Sequence, residues 1–315
     1  RNRAGSQGPR SSYLRAHSMF YNLAERTRLK LLADRLGISR GMNSFLLTLL
    51  DTREEIGFRR FRRSLDVNAA SSRITAAILT VDPSRTLAAC VESVRSQNLS
   101  PVTIEIIRNI SPFSRASQQA LDSIVTEFYV QVDDDMILHP TCFERLFFLM
   151  ETERHCAQSV AKLRDPIFGT ITGVKMYRTE PVRSVGFFPF DGEKGCERHM
   201  TEQLQALGYV TARTRSVEGI HHPLYTPREM YWKFHFLGEQ LRFYKDDGRK
   251  MNDLLNLLTD RWAAHPDDLT LSGLAGLFSG IQTEHPEQEL DYSKRLESDA
   301  FDRLKEVLDT LCGMK

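Results

Sequence analysis

Along the chain the apolar positions change their period twice and mark out three regions. From about Tyr13 to Leu65 the repeat is helical, with Met19, Leu23, Leu29, Leu32 and Leu36 as core candidates and Gly37 as a stop. Near the end of this region Phe58, Phe61 and Leu65 fall on one face, which predicts an amphipathic helix. Asp66 to Ser72 keeps no period and reads as a linker. At Ile74 the texture shifts to a short apolar run, Ile74-Thr75-Ala76-Ala77-Ile78-Leu79-Thr80-Val81, suited to a strand buried on both faces. Asp82-Pro83 follows, an N-cap residue with proline at the first helical position. Leu87, Val91 and Val94 then recur at helical spacing, and Pro101 precedes a second strand, Val102 to Ile107. This is a strand–helix–strand unit of parallel α/β type. In a third strand Phe128, Val130 and Val132 alternate with more polar neighbours, which predicts one well-buried face.

Beyond Tyr225 the helical period returns. Met230, Phe234, Leu237, Leu241 and Tyr244 share one face, as do Met251, Leu254, Leu255, Leu258 and Trp262; Leu304, Val307, Leu308 and Leu311 mark a last helix. Such stripes serve a core or a homo-oligomer contact. The aromatic run Tyr231-Trp232-Lys233-Phe234-His235-Phe236 suits core packing first and the border of an acceptor groove second. The organisation expected is a basic helical extension over residues 1–70, an α/β domain over 71–225 and a helical module over 226–315.

Composition changes little in this picture. The 315 residues, 41% hydrophobic and 26% charged, fit one large or two modest domains of an ordinary soluble protein. No apolar run approaches the roughly 20 residues that span a bilayer. Cys90, Cys142, Cys156, Cys196 and Cys312 are scattered without Cys-x-x-Cys spacing, as expected of reduced thiols in a cytoplasmic protein. Charge is more informative. Residues 1–70 hold fourteen Lys/Arg against six Asp/Glu, so a net charge of +1 hides a basic first region and an acidic remainder. The density peaks at Phe58-Arg59-Arg60-Phe61-Arg62-Arg63, a helix suited to docking its aromatics on the core or to peripheral contact with an anionic membrane. No nucleic-acid-binding motif accompanies it, so no nucleic-acid partner is expected.

The third strand runs directly into Asp133-Asp134-Asp135. Adjacent carboxylates repel one another and are not buried unpaired, so a strand end that carries three needs a cation or solvent. Hard oxygen ligands select Mg²⁺ or Mn²⁺, commonly completed by substrate phosphates. The plain alternative is an acidic turn that caps the next helix. In parallel α/β sheets ligands gather at the carboxyl ends of strands, where Asp82, Arg108-Asn109 and the triplet would emerge. The chain has no Gly-x-x-x-x-Gly-Lys-[Ser/Thr], no Gly-x-Gly-x-x-Gly, no Gly-x-Ser-x-Gly and no His-Glu-x-x-His. P-loop hydrolysis, dinucleotide binding, elbow-serine and zincin chemistry therefore lose support.

With these residues in place, positions 73–225 resemble a family-2-type glycosyltransferase of the GT-A fold, a Rossmann-like nucleotide-diphospho-sugar transferase. Asp133 and Asp135 are similar to the family's Asp-x-Asp, which holds Mn²⁺ or Mg²⁺ against the diphosphate of a nucleotide sugar. Ala116-Ser117-Gln118-Gln119-Ala120-Leu121 looks like its Ala-Arg-Asn-x-Ala-Leu helix start, with Ser117 in place of the arginine and Arg115 just before it. Gly186-Phe187-Phe188-Pro189-Phe190-Asp191-Gly192-Glu193 is similar to its Gly-x-Phe-Asp-Glu loop. Counting back from Gly208-Tyr209, the family's Glu-Asp pair falls on Cys196-Glu197; the first acid is absent and Glu197 inherits the role of catalytic base.

The resemblance places Val81, Asp82, Asn109, Arg115, Gln118, Asp133 and Asp134 at the donor, and makes His221 or His222 a third metal ligand beside Asp133 and Asp135. Successive residues of an extended stretch point opposite ways, so only one histidine would coordinate. Arg108-Asn109 stands where the family commonly has an acidic residue that reads the base. The activity implied is metal-dependent transfer from a nucleotide-diphosphate sugar donor to a saccharide or glycoconjugate acceptor hydroxyl, with inversion, in bacterial polysaccharide or glycoconjugate assembly. Two other classes share part of this pattern: a nucleotidyltransferase of sugar phosphates, and a non-catalytic nucleotide-sugar-binding protein.

Overall fold

The computed structural model describes residues 40–188, 195–243, 249–264 and 266–282. The stripes expected at Met19–Leu36 and Leu304–Leu311, together with Tyr244, Cys312 and the segment Pro189 to Lys194, lie outside the described residues. The chain forms two compact units. Among the described residues the first takes 40–109, 117–186 and 200–222; the second takes 110–116, 187–188, 195–199 and the described part of 223–282.

A mixed seven-stranded sheet builds the first unit. Its strands are β1 (Ile74–Thr80), β2 (Thr103–Arg108), β3 (Phe128–Asp133), β4 (Met136–Leu138), β5 (Cys156–Asp165), β6 (Gly169–Arg178) and β7 (Val210–His221), in the order β2-β1-β3-β6-β5-β7-β4. β1 pairs in parallel with both β2 and β3, and β3 and β5 each run antiparallel to β6. β5 therefore points the same way as β3, and β7, parallel to β5, points that way too. The carboxyl ends of β1, β2, β3, β5 and β7 thus share one edge. This is the α/β core with helical flanks that the sequence predicts.

Every residue of β1 is buried, as its unbroken apolar run requires. β3 corrects the expectation of a single buried face. Tyr129 and Gln131 are as buried as Phe128, Val130 and Val132, because β3 is central and covered on both sides. Tyr129 stacks on Tyr177 of β6, with ring centroids 4.9 Å apart. β5, β6 and β7 have no apolar signature, since Lys162 and Arg164, Lys175, and Arg213 and Arg215 interrupt them in turn. Strand pairing defines them.

The basic helix α1 (Arg40–Ser64) docks its aromatics. Phe58 joins the core and packs edge-on against Phe148 of α5 (Cys142–Thr152), and Phe61 tilts against Phe147 and Phe148. Ion pairs flank that contact: Arg215 binds Glu54 at 2.7 Å and Asp51 at 2.8 Å, and Arg145 binds Glu55 at 2.8 Å. Two local expectations are corrected. The supposed linker holds a short helix, α2 (Val67–Ser71), whose first turn is capped where Asp66 accepts the Ala69 N–H at 3.1 Å. Asp82-Pro83 does not start a helix. Arg108 and Asn109 occupy the Asp82 carboxylate, and α3 (Leu87–Arg95) begins later, with Ser84 Oγ accepting the Leu87 N–H at 3.1 Å.

The chain also forms α4 (Phe113–Ser123), α6 (Thr179–Val185) and α7 (Cys196–Ala206). Met200 and Leu204 of α7 are buried as expected, whereas Leu207, one residue past the helix, is 61% exposed. In the second unit α8 (Pro227–Phe243), α9 (Arg249–Ala264) and α10 (Asp268–Gln282) pack together. Thr226 and Glu229 cap α8 reciprocally, each side chain accepting the other's backbone N–H, ahead of Pro227 at the first helical position. A Cβ on Gly276 would stand 2.0 Å from the Tyr231 carbonyl, so α8 and α10 touch backbone to backbone only because that residue is glycine. Tyr231, Trp232, Phe234 and His235 are buried, the core-packing role expected of this aromatic run. Among the described residues Cys90, Cys142, Cys156 and Cys196 are buried and form no disulfide.

Candidate functional site

The shared carboxyl edge of the first unit collects polar residues that are far apart in sequence. From β1 comes Thr80; from the end of β2, Arg108 and Asn109; from β3, the triplet; from β5, Asp165; from β7, His221. Strand register places the last three. β4 returns from the triplet to pair antiparallel with β7, Met136 opposite His221 and Leu138 opposite Gly219. A Cβ on Gly219 would lie 2.5 Å from the Ile137 carbonyl, so the glycine permits this close pairing. The His222 N–H then donates to the Asp135 carbonyl at 2.7 Å, tying the triplet to β7. Alternation along β7 separates the histidines: His221 is buried and faces Asp135, while His222 is exposed.

The centre of the site is a line of three side chains. His221 Nε2 lies 3.0 Å from Asp135 Oδ2, and His221 Nδ1 lies 2.5 Å from Asp165 Oδ2. Asp165 is fully enclosed, and its Oδ1 accepts the N–H groups of Ile167 and Phe168, both at 2.6 Å. Burial pushes the Asp165 carboxyl up, but the hydrogen bonds from His221, Phe168 and Ile167 outweigh it and hold its pKa below the ordinary value. Asp135 differs: its Oδ1 is buried and has no hydrogen-bond partner. A carboxylate oxygen in that state lacks a counter-charge, and a hard cation beside His221 Nε2 would supply one.

Asp134 turns back into the sheet, where its carboxylate accepts the Thr80 hydroxyl at 2.5 Å. Asp133 ends β3, and its carbonyl faces the Cys90 thiol at 3.6 Å. That thiol is pushed up to about 12 by burial and by the charges of Asp134, Asp133 and Asp135. Asp82 is closed by its own neighbours: Arg108 reaches one oxygen at 2.9 Å and Asn109 the other at 3.1 Å, while Asn109 Oδ1 accepts the Asp82 N–H. Asn109 adopts a left-handed backbone conformation, φ 56°, which makes this back-bonding possible. Val81 is 57% exposed beside them. Gln118 donates to Asp122 within α4. Arg115 and Glu197 belong to the second unit; Glu197 stands in the first turn of α7.

Sequence reasoning missed Asp165. A lone Asp before Pro166 looks like a turn, and only the pairing of β5 with β7 brings it to a histidine 56 residues away. Among the described residues no grouping of three or more His, Cys, Asp or Glu side chains could hold a metal ion by itself. Asp135 and His221 could serve as an open, partial ligand set, of the kind that substrate phosphates and water complete.

No family model matches the sequence, and no curated protein matches it. Solved structures do. A mannosyltransferase, PcManGT from Pyrobaculum calidifontis in complex with GDP-Man and Mn²⁺, is similar over 86% of this chain and 94% of its own, at 12% identity and a TM-score of 0.44. Glucosyl-3-phosphoglycerate synthase from Mycobacterium tuberculosis, in complex with Mg²⁺ and uridine diphosphate, is similar over 56% of this chain and 77% of its own, at 13% identity and a TM-score of 0.39. TarS 1-349 of S. aureus, in complex with UDP-GlcNAc, is similar over 67% and 81% respectively, at 10% identity and a TM-score of 0.36. At such identities no residue's role carries over from these proteins. No helix among the described residues is long and apolar enough to cross a membrane.

Proposed function

We propose that this chain is a metal-dependent glycosyltransferase that moves a sugar from a nucleotide-diphosphate donor to an acceptor hydroxyl with inversion. One observation carries the proposal: the acidic triplet and His221 meet on the common carboxyl edge of five parallel-directed strands, and one Asp135 oxygen is left without a partner. The sequence resemblance to GT-A enzymes supplies the reaction class. Asp135 and His221, with Asp133 at the end of β3, would hold Mn²⁺ or Mg²⁺. When bound, such an ion offsets the charge that grows on the departing diphosphate. Thr80 keeps Asp134 turned into the sheet and away from that task. By the resemblance alone, Glu197 would be the base: it would take the acceptor's hydroxyl proton as the acceptor oxygen bonds to the anomeric carbon and the bond to the diphosphate breaks. The saccharide or glycoconjugate acceptor is read with the resemblance, as is the place in polysaccharide assembly.

Thermal unfolding against a panel of nucleoside diphosphates, with Mn²⁺, Mg²⁺ or chelator, tests the donor site. A ligand at 100 times its Kd stabilises by about 2.7 kcal/mol. The expected result is a metal-requiring shift for one nucleoside diphosphate that disappears in Asp135→Ala. No shift with any nucleotide refutes the proposal. Product analysis separates the classes, since a nucleotidyltransferase releases pyrophosphate and a glycosyltransferase releases the nucleoside diphosphate.

A further inference from the structure

The geometry points to Asp165 as the positioning residue of this site: it holds the Nδ1 side of the His221 ring, so that Nε2 is the nitrogen left to meet a divalent ion beside Asp135. This rests on the metal-site reading above and adds to it a residue outside the acidic triplet. Three observations support it. Asp165 is fully enclosed, and besides facing His221 it accepts two backbone N–H groups in the turn after β5. Those two bonds fall on Oδ1 and leave Oδ2 aimed at the ring at 2.5 Å. The opposite ring nitrogen meets the carboxylate whose other oxygen has no partner.

Chemistry then dictates the orientation. A carboxylate held as an anion can only accept, so the nitrogen that faces Asp165 must carry the hydrogen. When a divalent ion takes Nε2, the one ring proton is then the Nδ1–H held by Asp165. Ligating histidines almost always donate their other N–H in this manner, which fixes the tautomer and raises the basicity of the ligating nitrogen. Were Nε2–H the protonated position, it would donate to Asp135 and be lost as a ligand. Asp165 decides between these two states, although it touches neither the ion nor the sugar.

Asp165→Asn is the informative variant. Its side-chain oxygen still accepts the Ile167 and Phe168 N–H groups, so the turn survives, while its NH₂ presents a donor to Nδ1 and drives the ring to the other tautomer. Binding is read by EPR of free Mn²⁺ in titrations with UDP or GDP present, alongside thermal unfolding without metal. The expected result is metal binding about 10- to 100-fold weaker than in the parent, with the metal-free melting temperature little changed. Mn²⁺ affinity equal to the parent's overturns the role of Asp165. If the unmodified protein binds no Mn²⁺ with either nucleotide, the metal-site reading itself fails, so the two failures are distinct. A second measurement needs no variant: long-range ¹H–¹⁵N correlation of the histidine rings in the protein saturated with Mg²⁺ and nucleotide. The expected spectrum has His221 protonated at Nδ1 and bare at Nε2. A protonated Nε2 overturns the proposal even if the variant fails to fold.

Discussion

Glu54 and Asp165 are both buried carboxylates of the first unit, yet their surroundings push them in opposite directions. Glu54 is carried by α1 and turned inward onto Arg215 of β7 at 2.7 Å, and burial still raises its pKa above the ordinary value against the pull of Arg215. Asp165 has no arginine. Two backbone N–H groups and one imidazole outweigh its burial and hold its pKa down. Hydrogen bonds already fixed by the chain's own turn cost no side-chain ordering, whereas Arg215 must immobilise a long side chain and divide its charge with Asp51. The first arrangement joins a helix to a sheet. The second keeps an anion beside a histidine, as the proposed metal site would need.

The largest effect expected is on function, at the end of the Asp165 line. Asp135→Ala should lower kcat/KM by about 100-fold or more, the scale seen when one charge-stabilising group is removed, with stability nearly intact. Unaltered turnover would show that the orphaned oxygen has no part in catalysis. Next is Arg215→Ala on the other side of the comparison. It leaves Glu54 buried without its guanidinium, and loss of one partner of a buried pair costs about 3–5 kcal/mol. Urea unfolding reads this directly, and a loss below about 1 kcal/mol would mean that α1 docks through Phe58 and Phe61 alone.

A smaller effect concerns pH. Because the folded-state pKa of Glu54 is raised, its protonated form is favoured by folding. That contribution is complete below the unfolded value near 4.5 and fades as pH rises through the folded value. Glu54→Gln removes the linkage, so the parent should lose stability relative to this variant as pH rises above about 4.5. A stability difference that is flat with pH would contradict the direction assigned to Glu54. Smallest of all is the behaviour of the thiols. Cys90 and Cys156, both pushed up to about 12 chiefly by burial, should not react with a disulfide reagent at pH 8 until the protein unfolds. Rapid labelling of native Cys90 would show that the acidic edge opens readily to solvent.

The sequence announces some of this and conceals the rest. Ile74 to Thr80 and Phe128 to Val132 are legible because strands covered on both faces must be apolar, and the triplet stands out because adjacent carboxylates are costly. His221 is legible as one of a pair, and strand alternation then separates it from His222. Asp165 is not, for its meaning arises from a parallel pairing between β5 and β7, strands whose charged residues hide their period. Asp82 misleads for a related reason: its capping chemistry is real but is spent on Asn109 and Arg108 at the end of the neighbouring strand. Local pattern records what a residue can do, and tertiary pairing decides with whom.

The close pairing at Gly219 has a consequence for ion choice. In the proposed metal site, Asp135 and His221 stand together at one end of the β4–β7 ribbon, with Met136 opposite His221 and the His222 N–H fastened to the Asp135 carbonyl. Any displacement of that ribbon carries the carboxylate and the imidazole together, so the gap between them behaves as a fixed gauge. If the proposed ion binds there, a larger one would have to spread the strands rather than swing one ligand outward. Discrimination between ions of different radius would therefore register in the backbone hydrogen bonds of β4 and β7, where amide exchange rates would rise with ionic size.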